Sequence, residues 1–420
     1  MKRKLLRQIL NEWTSNLWLA IELLIVSVVM WWLCDQLWVS EAVYREPLGF
    51  DYSHCYRIEV DELTPQSPDF KQYTDREARI DDFIELMRRL EARPEIEAAG
   101  NGVNSYFYNH SNSGIALCID TLRADGWVVK RLVTPGFIKV FRICGANGET
   151  PEQLAEILAK SPSSSFMAPD NMFRNKYGIQ SMRDFVGKTF YEDMDSSALT
   201  LTATYKPLRY SDFQSMYGNE TSVIIPILSK GHMGYINEAV VRVKENMDKD
   251  FAERLMLDAN DRLRVGNWYI SSVDSFDEIR RTFIMGDTQK RINLIAGSLF
   301  LLLNIFLGVL GTFWFRTSQR TREIALRVAN GATRRDIFRR VVSEGLVILL
   351  AVTPIAGVID WLLTHYELNA FYMGTFFQPI RFFGCIILVV ALISFIILIG
   401  SCIPAMKAMK ISPAEALKTE

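Results

Sequence analysis

The chain has 420 residues, with 47 Lys and Arg set against 48 Asp and Glu. That balance gives the chain no overall basic character to draw a nucleic-acid partner, and none is expected. Mean hydropathy is only slightly positive (+0.08), but the average hides two populations. Most of the apolar excess lies in four blocks, and the stretch 39–286 has the composition of an ordinary folded domain.

Residues 1–16 place Leu5, Leu6, Ile9, Leu10 and Trp13 at helical spacing among basic residues. That pattern suits a short helix lying on a membrane surface. The first apolar block, 17–38, is too long for the core of a cleaved signal peptide and contains Glu22, so it reads as an uncleaved anchor.

The domain that follows reads as mixed α+β. Strands are expected at 55–60, 115–119, 127–133, 198–206, 222–228, 239–244 and 267–273. Helices are expected at 76–91, 151–160, 170–177 and 248–260. In 76–91, Ile80, Phe83, Ile84, Met87 and Leu90 share one helical face, and Pro94 bars continuation. The last helix shows an apolar face of Phe251, Leu255 and Met256. The polar run SPSSSF at 161–166 reads as a loop.

Further apolar blocks lie at 292–315, 343–363 and 382–403. Each of the four is about 21–24 residues, or roughly 30–36 Å as a helix, which matches a bilayer core. A buried soluble helix is the competing reading, but such helices seldom stay apolar on every face for so long. The expected architecture is therefore a membrane protein. It has four transmembrane α-helices (17–38, 287–315, 343–363, 382–403) and a large extracytoplasmic α+β domain (39–286) between the first and second. A 316–342 segment, a short external loop at 364–381 and a tail at 404–420 complete it.

Basic residues set the orientation. Lys2, Arg3, Lys4 and Arg7 open the chain. Eight arginines crowd 316–342, and Lys407, Lys410 and Lys418 lie in the tail, whereas the 364–381 loop holds only Arg381. Both termini and the 316–342 segment are expected in the cytoplasm, and 39–286 outside.

Few residues point to chemistry. VGKTF at 186–190 invites a phosphate-loop reading, but Met182 stands where that loop needs its first Gly. A turn entering a strand is the better reading. His54, His110, His232 and His365 are scattered, and His54 beside Cys55 would face opposite sides of a strand. No metal, cofactor or catalytic residue is assigned. Cys55, Cys118 and Cys144 leave one disulfide open without choosing it.

Polar residues within the apolar blocks are stronger leads. Glu22 is the deepest, and either associates helices or gates them, or else snorkels to a basic neighbour. Glu344 opens the third block, and Asp35 and Asp360 lie near outer ends. Pro354 removes a backbone bond and Gly357 loosens the same stretch, so a kink is expected there.

The segment 316–342 reads as helix, break, helix. Asn330-Gly331 is a helix stop, Thr333 is a helix cap, and Asp336 sits three residues on as its capping-box partner. Positive-inside anchoring accounts for the arginines but not for the break. A bent elbow suits docking of a partner whose movement passes to the spans.

At these residues the chain resembles the FtsX-like permeases. TREIALRVANGATRRDIFRRVVSEG carries the pattern in Arg322, Glu323-Ile324, Arg327, Gly331-Ala332, Asp336-Ile337 and Glu344. The tail IPAMKAMKISPAEALKTE is similar to the family's ending. The domain is similar to the MacB-type periplasmic core through FIELMRRLEARPEIEAAG, RLVTPGFIKVF and FMAPDNMFRNKYG followed by VGKTF. Asn330 and Gly345 depart from the pattern, which has an apolar residue and Ala there.

The resemblance implies a stand-alone permease subunit without its own ATPase domain. A cytoplasmic ABC ATPase would bind ATP and dock on Arg322, Glu323, Arg327, Gly331, Ala332, Thr333, Arg335 and Asp336. Its movement would be transmitted to the outer domain, for efflux, export, or lipoprotein or peptide handling. A second permease copy or a sister permease, membrane lipids, and a periplasmic adaptor or outer-membrane component are the further partners implied. The implied location is the bacterial cytoplasmic (inner) membrane. A ligand sensor is the alternative from another class, and a membrane-anchored outer enzyme is a third. The short cytoplasmic parts lack an output domain, which speaks against the sensor.

Overall fold

A computed structural model describes residues 13–409, apart from 125–127, 193–196, 217–220, 230–232, 234–235, 237, 320–323, 325 and 327–330. The chain divides into two compact units, Val43–Asp287 and a second unit formed by Met1–Ala42 with Thr288–Glu420.

In the first unit, twelve strands form one mixed sheet. They are β1 (Cys55–Glu62), β2 (Ile96–Val103), β3 (Ser113–Ile115), β4 (Leu117–Ile119), β5 (Leu122–Arg123) and β6 (Val128–Val133). Then come β7 (Ser165–Pro169), β8 (Thr189–Glu192), β9 (Ala198–Tyr205), β10 (Thr221–Pro226), β11 (Glu238–Val243) and β12 (Trp268–Ser275). The order is β12-β1-β11-β2-β6-β10-β7-β9-β8-β4-β5, with β3 pairing β6 off the path. The β6–β10 and β7–β9 pairs are parallel, and the other pairs are antiparallel.

Alternation sends successive side chains to opposite faces. Cys55, Val240 and Ile224 join a core with Phe107, Phe137, Phe141, Leu154 and Phe276. Ile58, Ala239 and Val241 join another with Phe83, Leu86, Phe251 and Trp268. Val223 and Ile225 enter a third around Phe166, Phe173 and Phe190.

The helix Arg76–Glu91 falls where its periodicity puts it, capped by Asp75 accepting from the Ala78 N–H. Its buried face is Ile80, Phe83, Leu86 and Leu90, with Ile84 and Met87 only partly covered. Pro151–Lys160 carries a full capping box from Thr150 and Gln153. Three expectations need correction. The 170–177 helix is only Arg174–Tyr177, because 170–173 turns back on Pro169. The 161–166 stretch gives its last two residues to β7, every residue of which is buried. In the helix Phe251–Arg262, Met256 is exposed, and Ala259 and Leu263 complete the buried face instead.

Several buried polar groups find partners. Arg131 donates to the Ser105 and Tyr106 carbonyls and lies 4.3 Å from the Phe107 ring centroid. Glu238 accepts the Ser105 N–H at 2.6 Å. Cys55, Cys118 and Cys144 are free thiols, and burial pushes Cys55 up to about 12. His54 Nδ1 lies 2.8 Å from Asp248 Oδ2, whose other oxygen accepts from the Tyr56 hydroxyl. Among the described residues no group of three metal-type ligands comes together. Gly187 has φ +86° and leads into β8, a turn entering a strand.

The second unit contains four helices long and apolar enough to cross a bilayer. They are Trp13–Tyr44, Met285–Gln319, Arg334–His365 and Pro379–Met409. Each buries one stripe and leaves the rest of its apolar surface open, as lipid-facing helices do. In the first the stripe is Leu19, Leu23, Val26 and Met30. In the fourth it is Cys385, Val389, Ile393 and Ile397. Leu299, Phe300, Leu303, Leu350 and Ile387 are exposed. The chain is a membrane protein with a mixed α/β domain. The loop between the third and fourth helices is pinned to the first. Asp35 pairs with Arg381 Nε at 3.0 Å and accepts the Ala370 N–H, and the Trp32 indole donates to the Leu368 carbonyl.

Candidate functional site

The elbow begins where Met285–Gln319 ends. Arg322, Glu323 and Arg327 lie outside the described residues, as do residues 1–12 and 410–420. Gly331 has φ +92°, a left-handed conformation that glycine adopts without a Cβ clash. Ala332 follows half-buried, and Thr333 then caps the next helix. The Thr333 hydroxyl accepts the Asp336 N–H at 3.3 Å, and Asp336 Oδ2 accepts the Thr333 N–H at 3.1 Å. This reciprocal pair satisfies two backbone donors that a helix start would otherwise leave open. Arg335 and Asp336 are exposed, whereas Ile337 is buried one turn in.

From Arg334 one helix runs to His365, roughly 48 Å. The end of the elbow, from Arg334, and the third apolar block are thus one continuous element. Pro354 lies inside it. A Cβ on Gly357 would meet only Ile386 Cδ1, at 3.9 Å, so this glycine is not a close-packing position.

Gly345 is a close-packing position. A Cβ there would stand 2.8 Å from Ile397 Cγ2 and 3.1 Å from Phe313 Cζ. Its neighbour Glu344 is buried. The departure from Ala at this position therefore has a steric cause. Gly400 likewise lets the fourth helix approach Val309 of the second. The third helix is packed closely against the second and fourth just over three turns from the cap.

Glu22 is half-buried, and its carboxylate lies against Gly308 of the second helix, where a Cβ would collide with it. This makes Glu22 part of a helix–helix contact. Sequence reasoning missed the Asp35–Arg381 pair, whose partners are hundreds of residues apart. Asp360 is also buried, and its Oδ1 has no hydrogen-bond partner among the described residues.

Residues 295–413 match the family model for the FtsX-like permease C-terminal domain. Curated relatives extend the likeness. The chain is 32% identical over 138 residues to a protein of Pseudomonas syringae pv. tomato named pyoverdine export ATP-binding/permease protein PvdT, covering 32% of this chain and 20% of that one. It is 27% identical over 191 residues to the macrolide export ATP-binding/permease protein MacB of Campylobacter jejuni, covering 44% of this chain and 28% of that one. To the MacB of Pasteurella multocida it is 26% identical over 215 residues, 49% of this chain and 32% of that one. The chain thus spans about a third or less of each of these relatives. The glycine-and-threonine break, the long capped helix and the last three apolar helices fall in or beside residues 295–413, so this part of the chain is similar to the FtsX-like permease C-terminal domain, and the relatives it resembles are ABC-type permease proteins.

Proposed function

We propose that this chain is the permease subunit of an ABC transporter complex in a bacterial cytoplasmic (inner) membrane. In this reading the domain 43–287 lies outside and the elbow lies in the cytoplasm, where an ABC ATPase on another chain docks. The ATPase hydrolyses ATP, and this chain converts its movement into displacement of the outer domain. The work done is export or efflux, or the handling of a lipoprotein or peptide. The names of the relatives, which speak of macrolide and pyoverdine export, favour export.

One observation carries the reading. The capped break at Gly331–Thr333 opens a single helix that runs to His365 and is packed without slack at Gly345 against Phe313 and Ile397. A push on Arg335 and Asp336 therefore cannot be absorbed locally, because a close-packed interior transmits displacement. Arg322, Glu323 and Arg327 supply the charges for docking. A second copy or a sister permease completes the complex, and the exposed apolar side chains Phe300, Leu303 and Leu307 offer surface to it or to lipid.

The experiment is co-purification from gently solubilised native membranes, with a Glu323→Lys/Arg327→Glu variant alongside. A stoichiometric ABC ATPase that is lost in the variant supports docking at the elbow. Absence of any ATPase, in membranes that express one, would overturn the reading in favour of a ligand sensor.

A further inference from the structure

The third apolar helix ends in an unusual way. Tyr366 donates its N–H to the Leu362 carbonyl, Glu367 to Thr364, and Leu368 to Leu363. This is the six-to-one and five-to-two pattern of a Schellman motif, whose left-handed residue is usually glycine. Here that residue is Glu367, at φ +59°. It is poorly placed twice over. A side chain with a Cβ disfavours the left-handed region, and a carboxylate at a helix C-terminus adds to the negative end of the helix dipole. A residue that breaks a local rule in this way is a lead to function.

Glu367 lines a cavity of about 470 Å³ with Trp361, His365, Phe371, Phe376 and Phe377. His365 is stacked on Trp361, with ring centroids 5.4 Å apart. Neither Lys nor Arg is among the lining residues. Three features therefore favour the same guest. The Glu367 carboxylate is negative, the helix end presents partly negative carbonyls, and aromatic faces attract cations through their quadrupoles.

We propose that this cavity binds an ammonium group carried on an amphiphile, the headgroup of an ethanolamine phospholipid. A lipid is favoured over a soluble amine by position. The cavity sits at the end of a helix of bilayer length, and Trp361, Tyr366, Leu368, Phe371 and Ile380 around that end are exposed apolar or amphipathic side chains of the kind that line membrane interfaces. The site belongs to the helical unit alone and does not depend on an ATPase partner.

The test uses the full chain in nanodiscs of equal parts phosphatidylethanolamine and phosphatidylglycerol, with retained lipid read by native mass spectrometry. The expected result is an ethanolamine preference of about tenfold, in the range that a desolvated cation–π contact supplies. Glu367→Gly removes the charge and relieves the backbone. It is expected to lose the preference while the thermal unfolding midpoint holds or rises. Trp361→Leu is expected to weaken the preference severalfold. Equal retention, a glycerol preference, or an ethanolamine preference that survives Glu367→Gly would overturn the proposal. Displacement of the lipid by an equal concentration of soluble ethanolamine would overturn the lipid assignment and leave a site for a soluble amine.

Discussion

Arg280 grips Asp212 with two nitrogens, Nε at 3.0 and 3.2 Å from the two carboxylate oxygens and Nη2 at 2.6 Å from Oδ1. The same guanidinium donates to the Tyr44 hydroxyl at 3.2 Å and lies 5.3 Å from the Tyr52 ring centroid. Arg209, also buried, donates to the carbonyls of Glu46 and Asp212. Three segments, 43–52, 206–216 and 276–283, are tied at one place. The first and last are where the chain enters and leaves the α/β unit.

Asp212→Asn is expected to destabilise this unit by about 3 kcal/mol, because it leaves a largely buried guanidinium without its counter-charge. Asp212→Leu with Arg280→Met should cost less than either single change, since no unpaired charge remains. Thermal unfolding of the full chain in detergent, across the four-member cycle, checks both statements.

The Glu238 carboxyl is buried, and burial pushes it up to about 7 from the usual 4.5, against the opposing pull of the Ser105 N–H and the Arg131 charge. An acid raised in the folded state contributes stability that is full below about 4.5 and is lost as pH rises through 7. The loss is on the order of 3 kcal/mol. Glu238→Gln keeps an acceptor for Ser105 and should remove this slope. The difference in unfolding midpoint between wild type and variant, measured from pH 4.5 to 8, is expected to favour the wild type at the acid end and shrink or reverse by pH 8. A constant difference across that range would refute the assignment.

Gly345→Ala restores the residue that the family pattern leads one to expect, yet it should harm this protein. The added methyl meets Ile397 and Phe313, and overpacking of this kind costs about 1–3 kcal/mol. Ile397→Ala in the same chain opens the space and is expected to recover part of the loss. The readout is the unfolding midpoint and, under the proposed function, recovery of a bound ATPase as well.

Thr333→Ala removes the cap of the long helix. Amide exchange at Arg335, Asp336 and Ile337 is expected to quicken on the order of fivefold. Exchange in the middle of the helix should be unchanged. Under the proposed function, ATPase recovery should fall as well, because the docking surface frays.

What the sequence revealed, and what it hid, follows from where the determining contacts lie. The Arg76–Glu91 and Pro151–Lys160 helices are legible because their periodicity and caps are local. The cap at Thr333 is legible for the same reason. Strand β2 was missed because IEAAGNGV has little β propensity. Its Gly100 is there to admit the backbone of Phe137, with which a Cβ would collide. Strand β7 was read partly as loop because Ser165 gives no apolar signal, although it is fully buried. Glu22 was legible as an intramembrane charge, but its seat on Gly308 was not. The conformation of Glu367 has no signal in the sequence, because a left-handed helix end is marked by glycine or asparagine and not by glutamate.

The tie between Tyr44, Asp212 and Arg280 has a consequence for how such a protein can be built. It brings the two ends of a unit of about 245 residues to one point, and a folded module whose ends meet can be inserted between two helices without re-threading either. The α/β unit is in this sense a cassette. A lineage could exchange it for another module with adjacent ends while keeping the helices on either side.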